Sequence, residues 1–103
     1  MAYSVIIQAE KPANVAWWGP ANRTKSTAIR TLTSATSGLI SSTSGQSPSN
    51  PNVWVTTQLW EDKAHYDAYG AALATNTYWQ ERLAYAQANN IVVTKHEGNV
   101  TLA

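Results

Sequence analysis

Cysteine is absent from the 103 residues, which excludes disulfides, thiolate chemistry and cysteine-based metal sites and leaves the redox compartment open. Charge is scarce: charged side chains make up 13% of the chain, against about 25% in an average soluble domain. Apolar residues reach an ordinary 44%, so the surface is expected to be rich in neutral polar groups or partly covered by a partner. No acidic residue lies between Glu10 and Glu61, yet nothing in that Ser/Thr/Asn-rich stretch repeats regularly enough to read as disorder. No apolar run approaches the roughly 18 residues of a membrane span. The N-terminus lacks the basic segment and apolar stretch of a signal peptide, so a cytoplasmic protein with no membrane partner is expected. The sequons Asn22-Arg23-Thr24 and Asn99-Val100-Thr101 carry little weight without such a signal.

A formal net charge of +1 on scattered basic residues offers no footprint for a phosphate backbone, and no nucleic-acid partner is expected. There is no Gly-rich phosphate loop, nucleophile elbow or serine triad. The only histidines are His65 and His96. Neither brings a spaced set of ligands, although Glu61, Asp62 and Asp67 are close to the first in sequence, so neither a metal nor a cofactor is expected.

The length suits one domain spanning residues 1–103. Tyr3 to Ala9 is predicted as a strand, with Tyr3, Val5, Ile7 and Ala9 on one face and Ser4, Ile6 and Gln8 on the other. Lys11-Pro12 ends it, and Pro20 suits the first turn of a helix starting near Ala21 or Asn22. That helix turns Ile29, Leu32 and Ala35 or Thr36 inward and stops at Gly38, a left-handed position. A short strand at Leu39 to Thr43 is expected next, then a flexible connection ending at Pro51. Asn52 to Trp60 reads as the clearest strand, with Val53, Val55, Thr57 and Leu59 on one face and Trp54, Thr56, Gln58 and Trp60 on the other.

Glu61-Asp62 opens a helical stretch whose apolar stripe is predicted at Ala64, Ala68, Ala71, Ala72 and Leu73, flanked by Tyr66 and Tyr69. Unbroken to Asn89 it would be about 42 Å long, too long for so small a domain. A break near Asn76 is expected, with Thr77 and Gln80 as a capping box and Trp79, Leu83 and Ala86 turned inward. Ile91 to His96 forms the last strand. This order predicts an α+β, ferredoxin-like two-layer sandwich, an antiparallel sheet with helices on one face. Val5, Ile7, Val53, Val55, Leu59, Ile91 and Val93 would leave an apolar patch too large for a monomer, so a homodimer packed sheet to sheet is expected.

The run Val53-Trp54-Val55-Thr56-Thr57-Gln58-Leu59-Trp60-Glu61-Asp62-Lys63-Ala64-His65-Tyr66 resembles the third strand and second-helix start of the antibiotic biosynthesis monooxygenase-like family. There a strand ends in a Trp-Glu pair and the next helix carries an aromatic or histidine. The element order agrees over nearly the whole chain, including Gly38-Leu39-Ile40-Ser41 before the short strand. The resemblance implies a dimeric α/β barrel with an apolar pocket between sheet and helices in each subunit. It also implies one of two chemistries: cofactor-independent oxygenation of polycyclic phenols, or haem degradation. Trp60 matches the family tryptophan and Tyr66 the oxygenases' tyrosine. Thr56 stands where the oxygenases have asparagine, with Gln58 the nearest amide. Tyr69 and Gly70 occupy the region where a haem ligand is wanted, which argues against haem degradation.

Trp60 and Tyr66 are therefore the candidate catalytic residues, and Trp54, Thr56, Gln58, Tyr69 and Trp79 the candidate ligand-binding ones. Each has a plainer reading. Trp60 suits a core, Tyr66 and Tyr69 a surface or interface, and Trp17-Trp18 a plug on the end of the sheet. Gln58 argues for a polar-spotted cleft, because an unpaired buried amide costs on the order of 1–3 kcal/mol. The expected ligand is a small apolar molecule, a polycyclic aromatic or a fatty-acyl-like chain. The alternatives are a non-catalytic ligand-binding or stress-response dimer, and a structural dimer whose cleft is filled by its own side chains.

Overall fold

Alternation of burial along the first strand decides which side of the sheet becomes the interior. A computed structural model describes residues 1–102, and in it β1 (Ala2–Glu10) turns Tyr3, Val5, Ile7 and Ala9 toward the helices, as expected. Strands β2 (Leu39–Ser47), β3 (Asn50–Trp60) and β4 (Val92–Val100) complete a four-stranded sheet in the order β2-β3-β1-β4. Every neighbouring pair is antiparallel. Helices α1 (Trp18–Ala21), α2 (Arg23–Ala35), α3 (Lys63–Ala74) and α4 (Thr77–Ala88) supply the second layer. The predicted α+β, ferredoxin-like sandwich is what forms. No helix is long and apolar enough to cross a membrane.

The register sets the inner face. Tyr3 pairs with Trp60, Val5 with Gln58, Ile7 with Thr56 and Ala9 with Trp54, while Glu97 pairs with Val5 and Lys95 with Ile7 from the other side. Val5 and Ile7 thus share a face with Gln58 and Trp60, not with Val53, Val55 and Leu59. The outward apolar set is smaller than the sequence suggested: Ile6, Val53, Val55 and Leu59, with Val92 at one end. Of these, Ile6 is 40% exposed.

The Ser/Pro-rich connection is not slack. Strand β2 runs on to Ser47 and turns through Pro48-Ser49 directly into β3. Hydroxyl pairs hold it, Thr43 to Thr57 at 3.0 Å and Ser44 to Thr56 at 3.2 Å, and the Gln46 amide donates to the Pro51 carbonyl at 2.8 Å. An edge strand solvated on both faces has no apolar alternation to betray it, because its pairing is satisfied by backbone and hydroxyl groups. Strand β4 likewise continues beyond His96 to Val100.

The predicted first helix is α2, and one extra turn comes before it. A single turn at Trp18–Ala21 precedes Asn22, whose amide donates to the Trp18 carbonyl at 2.8 Å. Helix α2 then buries Ile29 and Thr33, with Thr36 rather than Ala35 turned inward. Gly38 takes a φ of 90°, as expected after a helix. It also lies against the His65 ring so closely that a Cβ there would overlap it.

Helix α3 begins at the Asp62 cap, whose carboxylate accepts from the His65 backbone N–H at 2.9 Å. It turns Tyr66, Tyr69 and Leu73 inward and leaves Ala64, Ala68, Ala71 and Ala72 exposed, so of the expected stripe only Leu73 faces inward and the flanking tyrosines replace the alanines. Large aromatic faces bury far more area than methyl groups do. The break falls where expected, but the cap of α4 is Asn76, accepting from Trp79 N–H at 3.0 Å, not Thr77. Gln80 donates to the Ala74 carbonyl at 2.8 Å instead of closing a capping box. The inward face also differs from the expected one: Trp79, Arg82 and Tyr85 are half-buried with Ala86, while Leu83 is 42% exposed.

Candidate functional site

Four consecutive inner-face pairs of β1 and β3 form a floor that is sealed at one end and open at the other. Trp60, with 0% exposure, and Gln58, with 6%, sit at the sealed end with Tyr3 and Val5. The next pairs, Ile7 with Thr56 and Ala9 with Trp54, are only half-buried. Cover by the helices therefore thins along β3 toward its start.

The sealed end is aromatic. The Trp60 ring lies 4.9 Å from Tyr69 and 6.0 Å from Tyr66, centroid to centroid, and Tyr66 lies 5.6 Å from Tyr3. Trp60 donates its indole N–H to the Gln58 side-chain oxygen at 3.2 Å, which resolves how an amide is tolerated there. Thr33 Oγ donates to the Ile29 carbonyl at 3.0 Å and has one hydrogen to give, so in its 2.7 Å contact with Tyr69 the phenol is the donor. Tyr3 donates to Glu97 at 2.9 Å. Lys95 donates to the Tyr66 hydroxyl at 2.8 Å and reaches Glu97 at 3.4 Å.

Of the residues singled out in the sequence, Gln58, Trp60, Tyr66 and Tyr69 come together. Tyr69 is buried rather than superficial. Trp54 does not join them. Six residues up the strand, about 20 Å away, it meets Trp17 edge-on at 5.9 Å and donates to Ser44 Oγ at 2.6 Å. Trp17 donates to the Pro51 carbonyl at 3.0 Å, while Trp18 is buried in the core, so the two neighbouring rings go to different places. Thr56 lies on the half-open floor beside Ser44. Trp79 packs against the core from α4.

Sequence reasoning missed four participants. Tyr3 follows from the register opposite Trp60, and Lys95 and Glu97 from the two-residue period of β4. Arg82 follows from the three-residue step after Trp79. Its guanidinium stands 5.7 Å over the Trp79 ring and is half-buried. Among the described residues no carboxylate pairs with it.

The electrostatics follow from these contacts. The Tyr3 hydrogen bond holds the Glu97 carboxyl below its ordinary range, and the Tyr66 hydrogen bond holds the Lys95 ammonium above its own. Burial raises Tyr3, reinforced by Glu97. Burial also lowers Arg82, a cation drawn partly out of water.

His65 is held between two carboxylates, its Nδ1 2.7 Å from Asp62 and its Nε2 3.9 Å from Glu61. Asp67 pairs with Lys63 at 2.8 Å instead. Among the described residues no three His, Asp or Glu side chains converge as metal ligands. Two open depressions, of about 450 Å³ along Thr27, Arg30 and Ser34 and about 220 Å³ beside Ile6 and His96, lie away from Trp60. A ligand reaching the Trp60 ring must displace a tyrosine.

No family model matches the chain, and no curated protein does. Solved structures do match over nearly its whole length. A candidate antibiotic biosynthesis monooxygenase from Deinococcus radiodurans superposes with a TM-score of 0.71 at 12% identity, covering 100% of this chain and 95% of that one. The cofactor-independent oxygenase SnoaB from Streptomyces nogalater gives 0.67 at 10% identity, covering 99% and 95%. The chain has the antibiotic biosynthesis monooxygenase-like fold. A candidate monooxygenase of the same kind from Chloroflexus aurantiacus, at 17% identity and a TM-score of 0.63, covers 96% of its own length against 100% of this one. The resemblance read in β3 is thus borne out at the level of the fold, and at such identities chemistry has to be argued from the site.

Proposed function

We propose that this chain binds a flat, largely apolar aromatic molecule between sheet and helices and oxygenates it without metal or cofactor. The observation that carries the reading is the arrangement of Gln58, Trp60, Tyr66 and Tyr69 at the sealed end of a floor that opens at Ile7 and Thr56. An apolar cleft with a few convergent polar groups is the usual form of a small-molecule site. With a tyrosine swung aside, the Trp60 ring now packed on Tyr69 would meet the ligand beside the Tyr66 hydroxyl, and among the described residues Arg82 is a cation with no carboxylate partner.

Chemically, the substrate supplies the electrons. An anthrone-type methylene loses both hydrogens to dioxygen, one oxygen atom staying as the new carbonyl and the other leaving as water. Gln58 and Trp60 orient the ring, and Tyr66 hydrogen-bonds the oxyanion formed when the substrate ionises. The outward set of Ile6, Val53, Val55 and Leu59 supports a homodimer packed sheet to sheet.

The test is oxygen-18 incorporation into an anthrone, measured above the background of spontaneous oxidation. Quinone formation should fall at least about tenfold in Trp60→Phe and in Tyr66→Phe; turnover unchanged in both would overturn the reading. One observation favours a second reading, a non-catalytic binder. The Gln58 oxygen is occupied by Trp60, and Glu97, the carboxylate that touches the aromatic cluster through Tyr3, is already held by Tyr3 and Lys95. Tight binding of the anthrone with background oxidation would select it.

A further inference from the structure

Tyr3 and Glu97 take no part in the chemistry proposed above, yet a path of packed rings joins them to Trp60. Centroids step from Trp60 to Tyr66 at 6.0 Å and from Tyr66 to Tyr3 at 5.6 Å, with Tyr69 beside Trp60 at 4.9 Å. Trp60, Tyr69 and Tyr3 are buried. Rings packed this closely exchange single electrons readily, and proton chemistry decides which of them ends as the radical. A phenol gives up an electron easily only when its proton has a base to go to, because the oxidised phenol is a strong acid.

The four rings differ in this respect. Trp60 donates to the Gln58 amide oxygen at 3.2 Å and Tyr69 to the Thr33 hydroxyl at 2.7 Å, and neither an amide nor an alcohol is a base at neutral pH. Tyr66 accepts from the Lys95 ammonium at 2.8 Å, and a cation beside its oxygen opposes loss of an electron. Tyr3 donates to a carboxylate, Glu97, at 2.9 Å. That bond first, and then the charge of Lys95 at 3.4 Å, hold the Glu97 carboxyl below its ordinary range, so the base is ionised at neutral pH. The Glu97 side chain is 34% exposed, which gives the pair access to water.

We propose that Trp60, Tyr66 and Tyr3 form an electron relay that draws a one-electron oxidising equivalent out of the sealed end of the sheet and lodges it on Tyr3, with Glu97 as the base. The oxidant is an organic oxyl radical, the species left when the O–O bond of a hydroperoxide divides evenly. It takes one electron from Trp60 and becomes an alkoxide, which water protonates. Trp60 recovers an electron from Tyr3 through Tyr66, and the Tyr3 hydroxyl proton moves to Glu97. The products are an alcohol, hydroxide, a neutral Tyr3 phenoxyl radical and protonated Glu97. A soluble one-electron reductant such as ascorbate then returns an electron to Tyr3, and Glu97 returns the proton. The relay spares Trp60, and it does not depend on which molecule the cleft binds.

The test is pulse radiolysis of the full chain with azide radical, which oxidises tryptophan in preference to tyrosine. The indolyl absorption should decay as the phenoxyl absorption grows, at a rate independent of protein concentration. In Glu97→Gln, which keeps a hydrogen-bond acceptor but no base, that rate should fall at least about tenfold. Tyr3→Phe should remove most of the phenoxyl signal, whereas Tyr78→Phe, on α4 and 38% exposed, should leave it unchanged. The pH profile of the parent chain tests Glu97 without any substitution: the rate should hold from neutral pH to about pH 4 and drop below it as Glu97 takes up a proton. Lys63 and Asp67 on α3 and Lys95 on β4 are the other charges about the Tyr3–Glu97 pair. Thermal melts of each variant verify folding. Rate and yield unchanged in Tyr3→Phe or in Glu97→Gln, or a signal lost in Tyr78→Phe instead, would overturn the relay and leave the small-molecule site standing.

Discussion

The Trp60 indole N–H and the Gln58 side-chain oxygen lie 3.2 Å apart on the same face of β3, both shut off from solvent. Each makes the other's burial tolerable. Replacing Gln58 by alanine strands a buried indole donor, and stability should fall by about 1–3 kcal/mol. Trp60→Ala removes a packed ring as well and should cost about 3–5 kcal/mol. Urea titration checks both. A smaller loss in the double variant than in the sum of the singles would confirm the pair.

Gly38 and His65 make a second coupled pair. A side chain at residue 38 meets both a φ of 90° and the His65 ring. Gly38→Ala should therefore cost more than the roughly 1–2 kcal/mol of a left-handed alanine alone. Combining it with His65→Ala should recover only the part of the steric cost due to the ring, because the Cβ of residue 65 itself overlaps the added one, and none of the backbone part, as read from denaturation midpoints.

The cap of α4 separates two readings of its start. Asn76→Ala should lower stability by about 0.5–2 kcal/mol, whereas Thr77→Ala should have little effect. Thermal unfolding of the two variants decides it.

Two carboxyls tie stability to pH. Asp62 is held below its ordinary range first by the His65 backbone N–H, and Glu97 first by the Tyr3 hydroxyl. Depressed in the folded state, they contribute stability that is present above the ordinary carboxyl range. It is lost as pH falls through the folded values, so the loss should begin below about pH 4. Asp62→Asn and Glu97→Gln should each flatten the acid limb of stability followed from about pH 7 to pH 2.

The outward face carries the dimer proposal. Ile6→Glu places a charge in the middle of the apolar set and should yield monomers by light scattering with the circular dichroism of the sheet intact. A variant that is still a dimer would locate the contact elsewhere.

How much of this was legible depended on the kind of signal. β1 and β3 showed in the sequence because both are short runs rich in β-branched and aromatic residues, and Gly38 because only glycine takes its φ without strain. β2 was under-read because serine and threonine on an exposed edge leave no period. The inward faces of α3 and α4 were misjudged because tyrosine, tryptophan and arginine have apolar bodies that a simple apolar stripe does not count.

The sequence by itself determined the fold class, since local periodicity and chain order are enough to lay helices on one face of an antiparallel sheet. It named Gln58, Trp60, Tyr66 and Tyr69 only among candidates that also included Trp54, Thr56 and Trp79, with Trp60 and Tyr66 resting on the family resemblance. Only the tertiary structure decided that Trp54 stands apart, that Tyr3, Lys95 and Glu97 belong with the cluster, and that Trp60 is sealed. Those facts depend on strand register and on which rotamers meet across elements distant in the chain, and a one-residue change of register would have sent every one of these side chains to the other face.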